Sequence, residues 1–301
     1  MRNNFFDIHT HYYKYPFINE ARRIMFPNKE ELYKAHDKFG ITGGALLCLV
    51  NAEEYQPQSV GEVIDMAKES NGRYVAFCNV DPRAIGNSKD SELELLLEFY
   101  KNQGCVGVGE VLPKMEFDDP KLLNLYRASE KVGLPLLFDM YSDPERTYGV
   151  SDEPGLVKLE YCLKKFPNLV FIGHGPGFWA EFGTLRKPED RYGWPKYDID
   201  GEGAVFKLMR KYKNLWADLS AGSGLGAMKR NLNYTVKFFN EFQDRIMYGS
   251  DICYHDDYIG QTDFMNNLLD NNLITEEVYD KIARENAKRL LGIDYCLFLN
   301  K

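Results

Sequence analysis

The feature of this sequence that most restricts its fold is a regular alternation of short apolar runs and helical segments. Eight runs have the β-branched, aromatic and aliphatic composition of strands, and a stretch of helical composition follows each one. The predicted strands are 5–9, 41–50, 74–80, 106–112, 134–140, 169–173, 215–219 and 245–249. The predicted helices are 29–39, 60–70, 91–102, 120–132, 154–166, 204–212, 234–242 and 275–291.

Strict alternation with short links predicts a parallel sheet with right-handed crossovers. Several predicted helices end in a glycine or asparagine directly before the next strand, where a helix C-cap belongs. Eight strand–helix units in 301 residues fit a (β/α)8 TIM barrel better than an open sheet of about five to seven strands. With no linker and no shift in composition, we expect a single domain over residues 1–301.

One connection, residues 175–201, is much longer than the usual link after a strand. It contains prolines and the aromatic residues Phe178, Trp179, Tyr192, Trp194 and Tyr197. Long ordered connections often carry function. We therefore expect this segment, between the sixth strand and its helix, to be a lid or a subunit contact.

Charge and apolar content restrict the partners. The net charge of −8 offers no field that attracts phosphate backbones, so nucleic acid is not expected as a partner. The longest apolar run, 45–50, is too short to cross a membrane, and no apolar leader precedes the first strand. We expect a cytoplasmic protein.

The six cysteines form no C-x-x-C pair, and Cys48, Cys78 and Cys105 are predicted to be buried thiols.

Polar side chains gather where the predicted strands end, which is where a TIM barrel carries its active site. Buried imidazoles and carboxylates need partners, since an isolated one costs several kcal/mol. A divalent cation would neutralise the whole set. The strand-end residues are Asp7, His9, His11, Asn79, Asp81, Glu110, Asp139, His174, Asp218, Ser220 and Asp251.

The spacing of His9 and His11 is typical of a metal site, because alternate residues of a strand point to the same face. A solvated strand end is the alternative interpretation of the two histidines. Mixed imidazole and carboxylate ligands suit Zn, Mn, Fe or Ni better than Ca or Mg. Zn is the ion that we expect first. A shared ion requires the tips of His9 and Asp251 to lie within about 8 Å of each other.

Five motifs together resemble the amidohydrolase superfamily. They are FDIHTH at 6–11, VDP at 80–82, IGHG at 172–175, YGSD at 248–251 and IARENAKRLL at 282–291. Within the superfamily, the chain is most similar to the branch that holds aminocarboxymuconate-semialdehyde decarboxylase and assorted metal-dependent hydrolases. The resemblance runs from residue 5 to about residue 293.

The resemblance implies that His9, His11 and Asp251 bind metal and that Asp251 also handles the proton of the bound water. It implies that His174 orients or activates that water or binds a second ion. The chain departs from the branch at strand five, where Asp139 replaces the usual histidine. Glu110 falls where deoxyribonucleases of the superfamily place a ligand.

We therefore predict one ion held by His9, His11, Glu110 and Asp251. Asp139 and His174 would remain for a weaker second ion or for substrate.

Structural alternatives stand beside several of these roles. Glu110 could pair with Lys114, Asp139 could cap the turn that follows it, and Asp251 could be a helix N-cap. His174 could be a core histidine bonded to backbone. His36 lies on a charged helix and is expected to be solvated, whereas His255 could lie on the rim or contact substrate.

The first functional hypothesis is hydrolysis of an amide, lactone or ester carbon of a small, cyclic molecule by a metal-activated water. The alternative is non-oxidative decarboxylation of an aromatic or unsaturated acid, for which Lys114, Arg146 or Arg230 would clamp the carboxylate. A third hypothesis is a barrel that binds a ligand without turnover. Several aromatic side chains are expected near the mouth of the barrel: Tyr12, Tyr13, Tyr15, Phe178 and Trp179. Homo-oligomerisation is left open.

Overall fold

Eight parallel strands form one sheet, in the order in which they follow one another along the chain. The computed structural model describes residues 4–19, 21–54, 56, 58–254, 256–257 and 260–293. The strands are β1 (Phe5–Thr10), β2 (Ile41–Leu46), β3 (Tyr74–Cys78), β4 (Cys105–Val111), β5 (Leu136–Asp139), β6 (Phe171–His174), β7 (Leu215–Asp218) and β8 (Ile246–Met247). The predicted (β/α)8 TIM barrel is confirmed.

Backbone hydrogen bonds join the first and last strands and nearly close the barrel. The amide of Ile8 donates to the carbonyl of Tyr248 at 3.0 Å, and the amide of Asp251 donates to the carbonyl of His9 at 2.9 Å. The second bond places Asp251, in the segment after β8, directly beside the end of β1. Closure of the sheet therefore also builds one side of the site described below.

Helices surround the strands. They are α1 (Lys29–Phe39), α2 (Val60–Glu69), α3 (Leu93–Asn102), α4 (Pro120–Val132), α5 (Val157–Lys165), α6 (Pro176–Ala180), α7 (Ala204–Lys211), α8 (Ala221–Lys229), α9 (Leu232–Phe242), α10 (Gln261–Asp270), α11 (Glu276–Asp280) and α12 (Asn286–Leu291). Asn28 and Ser59 form capping boxes at α1 and α2, and Gly40 and Gly133 end α1 and α4 in the left-handed region, as the sequence indicated.

Several elements differ from the prediction. Helices α6, α8 and α10 were not predicted, because these segments are short, rich in glycine or rich in asparagine. The predicted helix 275–291 is divided into α11, the π-helical segment Lys281–Glu285 and α12. A two-stranded hairpin, Phe17–Ile18 with Ile24–Met25, follows β1 and was not predicted.

The apolar core has two layers. Phe6, Ile8, Phe77, Leu137 and Met247 belong to a cluster that fills the barrel, and α12 covers one end of it. A larger cluster lies between the sheet and the helices. Apolar side chains thus fill the interior below the carboxyl ends of the strands, and the polar residues of those ends lie above them.

Three expectations about individual residues are corrected. His36 is fully buried, not solvated, because it lies on the inner face of α1, where its Nδ1 is 2.9 Å from the hydroxyl of Tyr74. Asp7 faces the same helix, with Oδ2 3.4 Å from Nε2 of His36, and does not join the polar set at the strand ends. Phe178 and Trp179 are buried in the core.

The 175–201 segment lies wholly within the described residues. It contains α6 and a 3-10 turn, Pro188–Tyr192. The guanidinium of Arg191 is buried and donates through Nη1 to the carbonyl of Asp152. Packing of these side chains attaches the segment to the barrel wall.

Two further expectations concern cysteines and membranes. Cys48, Cys78 and Cys105 are buried free thiols, as predicted. In the described ranges, no helix has both the length and the apolar character that a bilayer span requires.

Candidate metal centre

Strand β1 supplies two imidazoles whose Nε2 atoms lie 3.1 Å apart, on His9 and His11. Between Asp7 and Thr10, β1 advances three residues while β2 advances two, from Gly44 to Leu46. Such a bulge turns the following side chains to the other face of the strand. It explains why Asp7 faces α1 whereas His9, two residues later, faces the interior.

Strand β4 supplies a carboxylate, and a shift of strand register again positions it. Its register against β5 shifts between Val108 and Val111, and Glu110 lies within that shift. Oε2 of Glu110 is 3.3 Å from Nε2 of His9 and 3.4 Å from Nε2 of His11. The alternative pairing with Lys114 is not observed, because Glu110 points inward while Lys114 is exposed.

The segment after β8 supplies Asp251. Its Oδ1 lies 3.7 Å from Nε2 of His9 and 3.4 Å from Nε2 of His11. Its backbone is in the left-handed region, with φ of 53°. The hydrogen bond from its amide to the carbonyl of His9 holds it in this position. The tips of His9 and Asp251 are thus far closer than the limit set by a shared ion.

The distances within this set fit a bound divalent ion. Two ligand atoms on one tetrahedral ion, with bonds of ~2.1 Å, are roughly 3.4 Å apart. His9, His11 and Asp251 offer ligand atoms within 4.8 Å of one another, and Glu110 contacts both imidazoles. All four residues are poorly exposed. The donor set, two nitrogens and two carboxylates, suits Zn or Mn.

A third carboxylate, that of Asp218, orients the imidazoles of His9 and His174. Its Oδ2 is 2.7 Å from Nδ1 of His9 and 3.0 Å from Nδ1 of His174. The hydroxyl of Ser220 donates to the same oxygen at 2.6 Å and lies 2.9 Å from Nδ1 of His174. Because an ionised carboxylate only accepts, both Nδ1 atoms carry hydrogen and both Nε2 atoms face the cluster.

His174 approaches the cluster from β6. Its Nε2 is 3.9 Å from Oε1 of Glu110 and 3.8 Å from Oδ2 of Asp251. It therefore faces the far oxygens of the two carboxylates that contact His9 and His11. From this position it can act as a further ligand or contact a substrate.

The charges of neighbouring side chains in the cluster set one another's protonation. Burial opposes the imidazolium of His9, but Glu110 and Asp251 outweigh it and raise the pKa of His9 well above its usual value. The pKa of His11 is raised for the same reason. Burial would raise the pKa of Glu110, yet His9 and His11 hold it well below its usual range. Proton and metal ion therefore compete for the same imidazoles.

Asp139 on β5 behaves differently. Burial, followed by the charge of Glu110, raises its pKa to about 7. Its Oδ1 has no hydrogen-bond partner in the described part of the chain. It offers a ligand atom within 4.8 Å of those of Glu110 and His174. Asp139 is thus a buried carboxyl with a raised pKa, beside the cluster.

A cavity of about 410 Å³ opens above these residues. Met25, at the end of the hairpin after β1, and the adjacent Phe26 line the cavity. Its other apolar lining residues include Leu49, Leu112 and Tyr148. The lining also includes four carboxyl side chains, those of Glu54, Glu110, Asp139 and Asp251. The cavity thus joins an apolar wall to the candidate ligands.

The structure does not bring every predicted site residue to this cavity. Lys114 is exposed, and the guanidinium of Arg146 bonds within its own loop to Gly149, Asp143 and Ser151. Arg230 lines a different cavity. His255 lies outside the described residues. The orienting role of Asp218 was not predicted, although its place at the end of β7 was a usable signal.

The family is established by comparison with known proteins. A family model described as amidohydrolase matches residues 6–293. The chain belongs to this amidohydrolase family, as the sequence motifs indicated. No curated protein matches the chain.

Solved structures share the fold at low identity. A 2,6-dihydroxybenzoate decarboxylase from Rhizobium is 16% identical, with a TM-score of 0.56 over 96% of this chain and 98% of that chain. An amidohydrolase from Burkholderia multivorans with bound Zn is 11% identical, with a TM-score of 0.64 over 96% and 99%. A dihydroxybenzoic acid decarboxylase from Polaromonas with bound manganese is 13% identical, with a TM-score of 0.56 over 99% and 100%.

Proposed function

We propose that this protein is a metal-dependent decarboxylase of a small cyclic carboxylic acid. The observation that carries the proposal is the position of Asp139, a buried carboxyl that lines the cavity beside the ligand cluster and whose Oδ1 has no hydrogen-bond partner in the described part of the chain. Burial raises its pKa, which favours the protonated form. Decarboxylation leaves an electron pair on carbon, which needs a proton donor. Decarboxylases among the structures of similar fold support the same reaction.

The apolar wall of the cavity suits a flat ring. Phe26 and Tyr148 offer aromatic surface to such a ring. A divalent ion bound at the cluster would supply Lewis-acid chemistry for the oxygens of the substrate. His9, His11, Glu110 and Asp251 would hold that ion.

The bond between the ring carbon and the carboxylate carbon breaks, and carbon dioxide leaves. The electron pair of that bond forms a new C–H bond with the proton of Asp139. Asp139 then recovers a proton from solvent. One proton is consumed for each carbon dioxide released.

Hydrolysis of a neutral amide, lactone or ester is the second candidate, and one observation favours it. No lysine or arginine is found among the described residues that line the cavity, whereas four carboxyl side chains are. A substrate carboxylate would therefore depend on the ion alone for charge compensation. In hydrolysis, Asp251 would accept the proton of the attacking water and Asp139 would protonate the leaving group.

The test is product analysis with the protein loaded with Zn or Mn. Hydroxybenzoates and unsaturated cyclic acids are incubated in D₂O, and we expect carbon dioxide and a product with one deuterium at the vacated carbon. Asp139→Asn should retain metal and lose about 10²–10⁴-fold of turnover. Activity should fall as pH rises through the raised pKa of Asp139, because the proton donor is then lost.

Asp90→Asn is the matched control, because its side chain is 77% exposed, and it should behave as the unaltered protein. Ring opening of lactones or amides without release of carbon dioxide would refute decarboxylation in favour of hydrolysis.

A further inference from the structure

The carboxylate of Asp7 accepts three hydrogen bonds on the face of β1 that is turned toward α1. Its Oδ1 accepts from the amide of His9 at 3.0 Å and from the amide of Ser250 at 2.9 Å. The hydroxyl of Ser250 donates to Oδ2. Asp7 and Ser250 are both buried, so solvent does not compete for these bonds. One carboxylate thus joins the end of β1 to the segment after β8.

Both amides that Asp7 binds belong to the backbone that carries the candidate metal ligands. His9 is itself such a ligand, and Ser250 directly precedes Asp251. The amide of Asp251 donates to the carbonyl of His9 at 2.9 Å, which adds a direct bond between the same two segments. Movement of either segment would leave buried amides unpaired, which is costly. These bonds therefore fix the backbone of His9 relative to that of Asp251.

The carboxylate of Asp7 is held in turn from α1 and β3. Its Oδ2 lies 3.4 Å from Nε2 of His36, and Nδ1 of His36 lies 2.9 Å from the hydroxyl of Tyr74. Since an ionised carboxylate only accepts hydrogen bonds, Nε2 of His36 carries the hydrogen and Nδ1 accepts from Tyr74. His36 and Tyr74 are buried. These contacts restrict the side chain of Asp7 to one orientation.

Asp7 does not itself face the candidate ion. The bulge in β1 between Asp7 and Thr10 turns its side chain away from those of His9 and His11. Among the described residues, Asp7 is in none of the groups whose ligand atoms lie within 4.8 Å of one another. Any effect of Asp7 on metal binding must therefore pass through the main chain.

We infer that Asp7 is a positioning residue of the metal centre. It sets the separation of His9 and Asp251 by accepting hydrogen bonds from both segments through one carboxylate. All of these bonds are made between groups of the protein, so the ligands are in place before an ion binds. The inference rests on the metal dependence of the proposed function, and it holds equally for decarboxylation and for hydrolysis.

The experiment measures Zn affinity by competition with a chelating dye, and the visible absorption of the Co²⁺-substituted protein, which reports the geometry of the ligands. Asp7→Ala removes the acceptor of both amides, and we expect Zn affinity to fall by about tenfold or more and the Co²⁺ bands to shift. Asp7→Asn keeps one acceptor oxygen for both amides and should restore most of the affinity. Ser250→Ala removes only the hydroxyl bond and should weaken Zn by about threefold.

Leu97→Ala is the matched control, because it removes a fully buried side chain of α3 and destabilises the fold outside this network. It should keep the Zn affinity and the Co²⁺ spectrum of the unaltered protein. A loss of less than about tenfold in Asp7→Ala, or an equal loss in Leu97→Ala, would overturn the inference.

Ser250→Ala decides the question if Asp7→Ala does not fold. Unchanged Zn affinity together with an unchanged Co²⁺ spectrum in Ser250→Ala would then overturn the inference. Failure of the unaltered protein to bind Zn or Co²⁺ is a different result, since it would refute the metal centre itself and the inference with it.

Discussion

At the scale of single residues, the candidate site depends on which nitrogen of each histidine is free. Asp218 accepts from Nδ1 of both His9 and His174 and so directs both Nε2 atoms to the cluster. Burial would raise the pKa of Asp218, but the bonds from His174 and His9 outweigh it and lower that pKa. Asp218 therefore remains an acceptor over the whole physiological range of pH.

The Asp218→Asn variant should lower metal affinity by about 10–100-fold, because the amide no longer enforces the tautomer of His9. The measurement is competition for Zn with a chelating dye. The secondary structure by circular dichroism should not change. Asp270→Asn, at an exposed position of α10, serves as control. An unaltered affinity for Zn in Asp218→Asn would contradict the orienting role.

At the scale of elements, shifts of strand register decide which side chains reach the cavity at the carboxyl ends of the strands. Strands β1 and β4 each gain one residue against a neighbour, and His9 and Glu110 lie in these shifts. Strand β4 also shifts against β3 near Phe77. The close contact there is between Gly107 and the ring of Phe77, which leaves no space for a Cβ.

Gly107→Ala tests this packing. Its Cβ would lie 2.5 Å from ring atoms of Phe77, which is fully buried. We expect the free energy of unfolding to fall by about 1–3 kcal/mol, measured by urea denaturation. Gly226→Ala is the opposite case, since nothing lies within 4 Å of its Cβ on α8, and it should be neutral or stabilising by up to ~1 kcal/mol. Equal stability of both variants would contradict the packing argument.

At the scale of the whole molecule, the cluster joins distant parts of the chain. His9 and His11 come from the first strand, Glu110 from the fourth, and Asp251 from the segment after the eighth. A bound ion would therefore link the two strands at which the barrel closes. Ligands that bind only the folded state stabilise it, by about 2.7 kcal/mol at a hundredfold excess over Kd.

Metal binding should raise the melting temperature, and more so at higher pH. The raised pKa values of His9 and His11 mean that the metal-free fold gains stability from their protonated forms at low pH and loses it as pH rises through those values. The ion needs neutral imidazoles, so its contribution grows in the same direction. The difference in Tm between Zn-loaded and chelator-treated protein should widen from about pH 6 to about pH 8. A difference independent of pH would contradict this coupling.

The sequence by itself determined the barrel and most of the cluster. Strand and helix periodicity are local properties, so the eight units could be read from composition and caps. The positions of His9, Glu110, Asp139, His174 and Asp251 at strand ends followed from the same periodicity, since parallel strands end at one rim.

Only the tertiary structure decided how those side chains are used. The bulges that separate Asp7 from His9 depend on pairing between strands, which no local pattern encodes. The burial of His36 and the sharing of Asp218 between His9 and His174 depend on elements far apart in the chain. Strand register and side-chain burial arise from long-range packing. The same packing places Arg230 away from the cavity above the metal cluster.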